Sequence, residues 1–448
     1  MLDQNAFLEK LMARAREEGL EACEAYVVED DSFGVMSTEG EVVEYKSNLC
    51  RGLGLRGLKN GRMGYASTEA FDEEAVEQLI QGVLESAELC EDPDPEMLYD
   101  GSEPAPTLDL CDPAMGGISA QAKIDMLLAM EKTIKAYDQR IDKTAHNSLD
   151  TGRVSVRIVN SYGMDRSFTQ DYCDLAGFAT ARDGAFVSTG FEGVVSHRYA
   201  DLDPQRIGRE AAQAAVDALN AKPVPSGRYR VVLSNKTMTQ FMSAFCGIFS
   251  AETAQKGLSL LSGKLGQTVA APCVTLTDDP LLPDGLASRP FDAEGVPSKA
   301  HTLVDAGVFV TFLHNLKTAR KDGVTTTGNA SRGGYAGNVH VSPTNLFFQP
   351  GSRSLEEILS DIGDGLVITE VEGLHAGANA VSGDFSLLSK GYAFHDGKRS
   401  QAVEQITVAG NFYEMLKNIR ELASDLRFPF GGMGSPSVDV GELSVSGS

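Results

Sequence analysis

The residues of this chain with the means to do chemistry are seven histidines, seven cysteines and two glycine-rich runs. The first run, Gly52-Leu53-Gly54-Leu55-Arg56-Gly57, has the spacing of a dinucleotide loop. Such a loop needs a helix to follow, because the helix N-terminus holds the pyrophosphate. Here Lys59-Asn60-Gly61-Arg62 supplies an Asn-Gly turn and then a second strand, so these glycines are expected where a strand passes close to a neighbour. The second run, Gly257 to Lys264, has one residue too many for a phosphate loop, and Leu265 stands where the magnesium-binding hydroxyl is needed. Ser196-His197 lies on a strand-like segment, where adjacent side chains point to opposite faces, and no G-x-S-x-G occurs. His146, His197, His301, His314, His340, His375 and His395 form no i, i+4 pair of the kind that holds zinc on a helix face. A site built from distant residues stays open, with His375, His395 and a cysteine as candidate members. The cysteines are scattered, odd in number and never C-x-x-C, which reads as reduced thiols in the cytosol.

The elements that must position these residues are legible from periodicity. Residues 3–18 put Phe7, Leu8, Leu11, Met12 and Ala15 on one helical face. Short β-like runs follow at Ala22–Val28, Phe33–Ser37 and Glu41–Lys46, and Leu49 to Ser67 reads as a hairpin. A helix with Val76, Leu79, Ile80, Val83 and Leu84 precedes an Asp/Pro-rich connector over 91–114. A second long helix covers Ala120–Tyr137, strands fill Lys143 to Tyr199, and Asp203-Pro204 opens a helix over 203–220. Pro223-Val224-Pro225-Ser226-Gly227 is the expected linker, dividing the chain into 1–222 and 228–448. Beyond it come a strand at Tyr229–Leu233, a helix from Lys236 to Phe249, and a Gly-rich, strand-like stretch to about residue 410. A short helix near Leu355–Ile362 interrupts that stretch, a closing helix carries Phe412, Met415, Leu416 and Ile419, and a loose tail is expected over 431–448. The predicted fold is α+β: N-terminal helices packed on a mostly antiparallel sheet, then a β-rich C-terminal domain with a few helices.

Composition narrows the function classes. With 63 acidic against 39 basic residues the formal charge is −24, which repels phosphate backbones. The densest basic stretch holds only Lys317, Arg320 and Lys321, so no nucleic-acid partner is expected. The first ten residues read as the start of an amphipathic helix rather than a secretory signal, and no run of 18 apolar residues occurs. A cytoplasmic protein without a membrane partner is the expectation.

Several segments, in order along nearly the whole chain, resemble the TldD/TldE (PmbA, modulator of DNA gyrase) metallopeptidase family. They are Arg51 to Arg56, Asn60-Gly61-Arg62 and Gly64 to Thr68, then Asp305 to Val308, Asn315 to Arg320 and Thr327 to Ala330. The strongest is Gly373-Leu374-His375-Ala376-Gly377-Ala378-Asn379, running on to Ser382-Gly383-Asp384-Phe385-Ser386, and Ile406 to Asn411 closes the series. Catalytic members carry a His-Glu-His zinc motif on a helix early in the C-terminal domain, with the Glu activating zinc-bound water. The corresponding helix here, Thr239 to Phe249, has no His, Asp or Glu; Phe241, Ala244, Phe245 and Ile248 share a face, as in a packing helix.

The resemblance is therefore to the TldE/PmbA branch. It implies a chain with no zinc and no catalytic residue of its own, zinc belonging to a TldD-type partner. That partner would pair with it in a heterodimer, or the chain would pair with itself, forming a chamber in which unfolded or leader peptides are cleaved. The candidate peptide contacts are Thr327, Asn329, His375, Ser382 and Asp384, residue types that also cap tight turns. A stand-alone homodimeric peptide-binding or scaffold protein is the alternative.

Overall fold

The structure, a computed structural model, describes residues 2–448 apart from 92, 93, 95 and 430. The N-terminal half is built on seven antiparallel strands: β1 (Ala22–Thr38), β2 (Glu41–Lys59), β3 (Arg62–Thr68), β4 (Ile141–Thr144), β5 (Asn147–Asn160), β6 (Asp165–Asp183) and β7 (Phe186–Ser196). Their order is β3-β2-β1-β5-β6, with β4 and β7 both pairing β6. The runs expected at 22–28 and 33–37 merge into β1, because it keeps β2 on one side and β5 on the other through Asp30 and Ser32, and the run at 41–46 joins the first strand of the hairpin as β2. Ladder hydrogen bonds on both edges override weak local propensity. Asn60 and Gly61 turn β2 into β3 with φ of 53° and 73°, as an Asn-Gly hairpin requires.

Two helix pairs cover one face of this sheet. Helices α1 (Gln4–Glu17) and α2 (Glu73–Leu89) lay Phe7, Leu11, Val76, Leu79 and Val83 on Cys23, Ala25, Leu53 and Leu55. Helices α3 (Ala120–Tyr137) and α4 (Pro204–Asp217) set Leu127, Met130 and Ile207 on Val35, Leu149 and Leu175. Residues 23, 25 and 35 of β1 have the same parity, so both pairs sit on one side. Asp3, Asp72, Ser119 and Asp203 cap the four helices through side-chain oxygens that accept first-turn amides.

The C-terminal half contains a six-stranded sheet in the order 398–411, 384–395, 365–372, 227–233, 438–446, 421–422. Pairing of 407–409 with 444–446 brings its first strand back against the last long one. The expected loose tail is corrected here: Val438–Ser446 is a strand within this sheet, with Val438, Val440, Leu443 and Val445 buried. Its apolar alternation changes phase at Gly441 (φ 79°), beside a register shift between Asp439 and Glu442, and that break disguises the strand in the sequence. Helix α5 (Asn235–Phe245) packs inside, where Phe245 stacks on Phe412 with ring centroids 4.4 Å apart. Among the described residues no helix is long and apolar enough to cross a membrane.

The halves meet across the face of the first sheet that lacks helices. A Cβ at Gly52 would overlap the Tyr335 ring, and one at Gly54 would overlap the Tyr335 carbonyl oxygen. The glycines thus serve a close crossing, while the hairpin that follows them leaves no helix N-terminus for a phosphate. Next to them Arg56, with no exposed surface, donates from Nε to Glu24 Oε1 at 2.9 Å and from Nη1 to Glu294 Oε1 at 3.1 Å. Arg332 Nη2 reaches Glu24 Oε1 at 2.6 Å. A dry ionic pin therefore joins β1 and β2 to two segments of the C-terminal half.

Candidate functional site

Helix α5 starts at Ser234, whose hydroxyl accepts the Thr237 amide, and is tied to the neighbouring strand by Thr237 Oγ1 donating to the Ile368 carbonyl at 3.0 Å. Met238, Phe241, Met242 and Phe245 bury one face, with Phe241 edge-on to Phe385 at 4.9 Å. Ala244 packs half-buried at the edge of that core, on the face expected for it. With Gln240 and Ser243 it lines an open pocket of about 530 Å³, whose opposite wall is Leu374, His375, Ala378 and Ala380. Positions 240, 243 and 244 share a face by helical spacing, so the signal was present, but Ala is equally at home in a core. Burial pushes the Cys246 thiol at the end of α5 up to about 11, which keeps it protonated and a poor nucleophile at neutral pH.

Gln240 also borders a larger cleft, about 670 Å³, between the halves. Phe178 and Phe191, tilted against each other at 4.5 Å, form part of one wall; Lys236, Glu370 and Lys390 place charges around it. Residues 366–368 of the strand Gly365–Glu372 pair on one side with 231–233, whereas Thr369 and Glu370, past the end of that pairing, line the cleft.

The structure divides the five candidate contacts into two groups. His375 is exposed on the single turn Leu374–Gly377, and Ser382 and Asp384 follow in the same connection. Ser382 Oγ donates to Asp384 Oδ2 at 2.9 Å, and Asn411 Nδ2 reaches Asp384 Oδ1 at 2.8 Å. Those hydrogen bonds, Asn411's the larger, hold the Asp384 carboxyl below the usual carboxylate range. Asn379 Oδ1 accepts the amides of Val381 and Ser382, so this corner is an Asx turn that carries His375 to the pocket.

Thr327 and Asn329 do not line the pocket. Thr327 is buried, accepting the His314 amide at 2.6 Å. Asn329 donates from Nδ2 to Asp278 Oδ2 at 2.7 Å, deep in the C-terminal half. Burial raises the Asp278 carboxyl above its ordinary range, against the hydrogen bonds it accepts from Asn329 and Thr344. Both residues therefore shape the loops behind the site.

The other histidines are scattered as their spacing foretold. His197 lies buried between the carbonyls of Asp171 and Gly285. Burial lowers the affinity of His301 and His314 for protons. His395 pairs with Asp364 at 2.7 Å, and with Asp396 it makes an exposed group of possible cation ligands. It sits at the far end of the strand Asp384–His395 from the His375 turn, roughly 30 Å away at the rise of a strand. A site uniting His375 with His395 is not assembled.

Comparison with known proteins matches this architecture along its length. Residues 23–87 match the PmbA/TldA metallopeptidase domain 1, residues 115–219 its central domain, and residues 226–447 its C-terminal domain. The chain belongs to the PmbA/TldD metallopeptidase family. Within it, the chain is 26% identical over 416 residues to the metalloprotease PmbA of Escherichia coli O157:H7, covering 91% of this chain and 88% of that one. Among solved structures, a candidate modulator of a DNA gyrase from Thermotoga maritima superposes with a TM-score of 0.92 at 33% identity, over 99% of this chain and all of the other. TldE from Thermococcus kodakarensis shares the fold, with a TM-score of 0.90 at 22% identity, over 98% and 100%.

The ionic pin around Arg56 is a set of functional contacts that the sequence alone did not single out. Its signal was an arginine within the Gly-Leu alternation of 52–57, at the position facing Glu24 across the ladder.

Proposed function

We propose that this chain is the non-catalytic subunit of a PmbA/TldD-type peptidase, binding unfolded or leader peptide in the cleft beside α5 while a zinc-bearing relative cleaves it. The observation that carries this reading is the donor set of the α5 pocket. A catalytic zinc site needs three protein ligands and an open position. The pocket offers one ligand-type side chain, His375, facing an amide, a hydroxyl and methyl groups, so its residues do not fit the metal. The cleft suits peptide instead: the backbone at Thr369 and Glu370 lies beside charged groups of both signs, an arrangement an extended chain can join by main-chain hydrogen bonds.

The test begins with metal analysis of the purified chain. We expect no stoichiometric zinc in it, and the same result for His375→Ala; one zinc per chain, lost in that variant, would overturn the reading. Mixing with a zinc-motif member of the family should then give a mixed dimer and raise cleavage of an unfolded peptide above that of the zinc-bearing chain alone. Neither a mixed dimer nor added cleavage would favour a stand-alone peptide-binding scaffold.

A further inference from the structure

The Arg332 end of the ionic pin is short of partners. The Arg332 side chain is 1% exposed, yet its guanidinium makes a single hydrogen bond among the described residues, from Nη2 to Glu24 Oε1, an oxygen it shares with Arg56 Nε. Its Nε has no hydrogen-bond partner. Leaving a buried charged donor unmatched is costly, and such groups are normally met by an acceptor or by ordered water. Burial, and after it the like charge of Arg56, lower the hold of the guanidinium on its proton. It stays protonated at neutral pH all the same, so a positive charge is kept here with too little to offset it.

Arg332 lines a cavity of about 120 Å³ between β3 and the glycine-rich turn over 333–337. Gly54 faces Ser67 across the β2–β3 ladder and Arg56 faces Tyr65, so Tyr65 and Ser67 stand on the side of the sheet that lacks helices. Tyr335 and Gly337 supply the opposite wall, and the exposed Ser67 stands at the rim. At about 30 Å³ per water, the cavity has the volume of roughly four waters or one small organic acid. It shares no lining residue with the α5 pocket or with the cleft between the halves.

We propose that this cavity binds a carboxylate, that of a small organic acid or of a peptide C-terminus, against the Arg332 guanidinium. The planar fork of a guanidinium matches a carboxylate in shape as well as charge. On the flanks, Glu69 accepts the Tyr335 hydroxyl and Glu96 accepts the Tyr65 hydroxyl. Their charges oppose a dianion, so a single negative charge is preferred to phosphate. The proposal goes beyond the peptidase reading and does not depend on it, since none of these residues belongs to the α5 cleft.

Titration of the full-length chain with carbon-13 acetate at pH 7.5 and constant ionic strength, followed by NMR line broadening, tests it. Acetate should bind saturably, and phosphate should bind at least tenfold more weakly. Arg332→Lys keeps the charge but loses the fork, and should weaken acetate at least tenfold. Ser67→Phe fills the mouth from an exposed position without touching the ionic pin, and should do the same; circular dichroism verifies that both variants fold. Competition with trialanine and with its C-terminal amide then separates the two sources. Trialanine that displaces acetate more strongly than unlabelled acetate does, while its amide does not, assigns the site to peptide ends; trialanine no stronger than acetate assigns it to free acids. No saturable binding of either carboxylate, phosphate binding as tightly as acetate, or acetate binding unchanged in Ser67→Phe would each overturn the proposal.

Discussion

Arg56 ties the two halves of the molecule together through a single buried side chain. Its guanidinium makes three charge-assisted contacts in a dry site: to Glu24 at 2.9 and 3.3 Å and to Glu294 at 3.1 Å. In Arg56→Leu, Glu24 keeps Arg332, but among the described residues Glu294 keeps only the Leu316 amide at 2.8 Å as a side-chain partner. Removing one partner of a buried ion pair costs about 3–5 kcal/mol, mostly for the charge left behind. With Glu24 still paired, the lower end, about 3 kcal/mol, is expected.

The pH dependence supplies a second handle. Burial pushes the Glu294 carboxyl up, and the charge of Arg56 opposes that rise. Without Arg56 it rises further, so the folded state holds the proton more tightly than the unfolded chain does. The loss should therefore be largest at pH 8 and shrink as the pH falls towards 5 and Glu294 is protonated. Urea unfolding of both proteins, followed by tyrosine fluorescence and circular dichroism together, measures it; the chain has no tryptophan. Adding Glu294→Gln, which removes the orphaned charge and leaves an acceptor for the Leu316 amide, should recover about 1–2 kcal/mol. A loss under about 1 kcal/mol at pH 8, or one independent of pH, would refute the idea that this pin joins the halves through charge.

Two further outcomes follow from burial. Leu416 is 3% exposed on the closing helix, so Leu416→Ala should cost about 2–5 kcal/mol in a denaturant titration, and no change would mean the helix is not packed there. On β6, burial and then the facing Asp150 raise the Asp174 carboxyl to about 7. Its folded value lies above the unfolded one, so the favourable contribution present at low pH is lost as the pH rises through 7. Asp174→Asn should thus stabilise the protein by roughly 1–2 kcal/mol at pH 8, discounted for partial exposure, and by almost nothing at pH 4. Thermal melts at the two pH values decide it, equal effects at both being the contrary result.

Local pattern carried the α-helices and the Asn-Gly turn, because 3.6-residue periodicity, capping side chains and turn chemistry act over a few neighbours. Asp203-Pro204 marked the start of α4 and Asn60-Gly61 the hairpin for this reason. The same local logic rejected the dinucleotide loop, since no helix follows Gly57. Family motifs also directed attention to His375 and to the helix before Cys246. What the linear order concealed depends on partners distant in the chain. Val438–Ser446 became a strand because the edges of 227–233 and 407–409 were there to receive it. Thr327 and Asn329 share a motif with ligand-like polarity, yet in the interior Thr327 accepts the His314 amide and Asn329 donates to Asp278. Ala244 falls on the packing face by helical spacing and packs there, but only the position of the Leu374–Gly377 turn also makes it a pocket wall. Residue type and spacing settle which element forms; which of its faces meets solvent, and which charges meet each other, is decided by the packing of elements that lie far apart in the sequence.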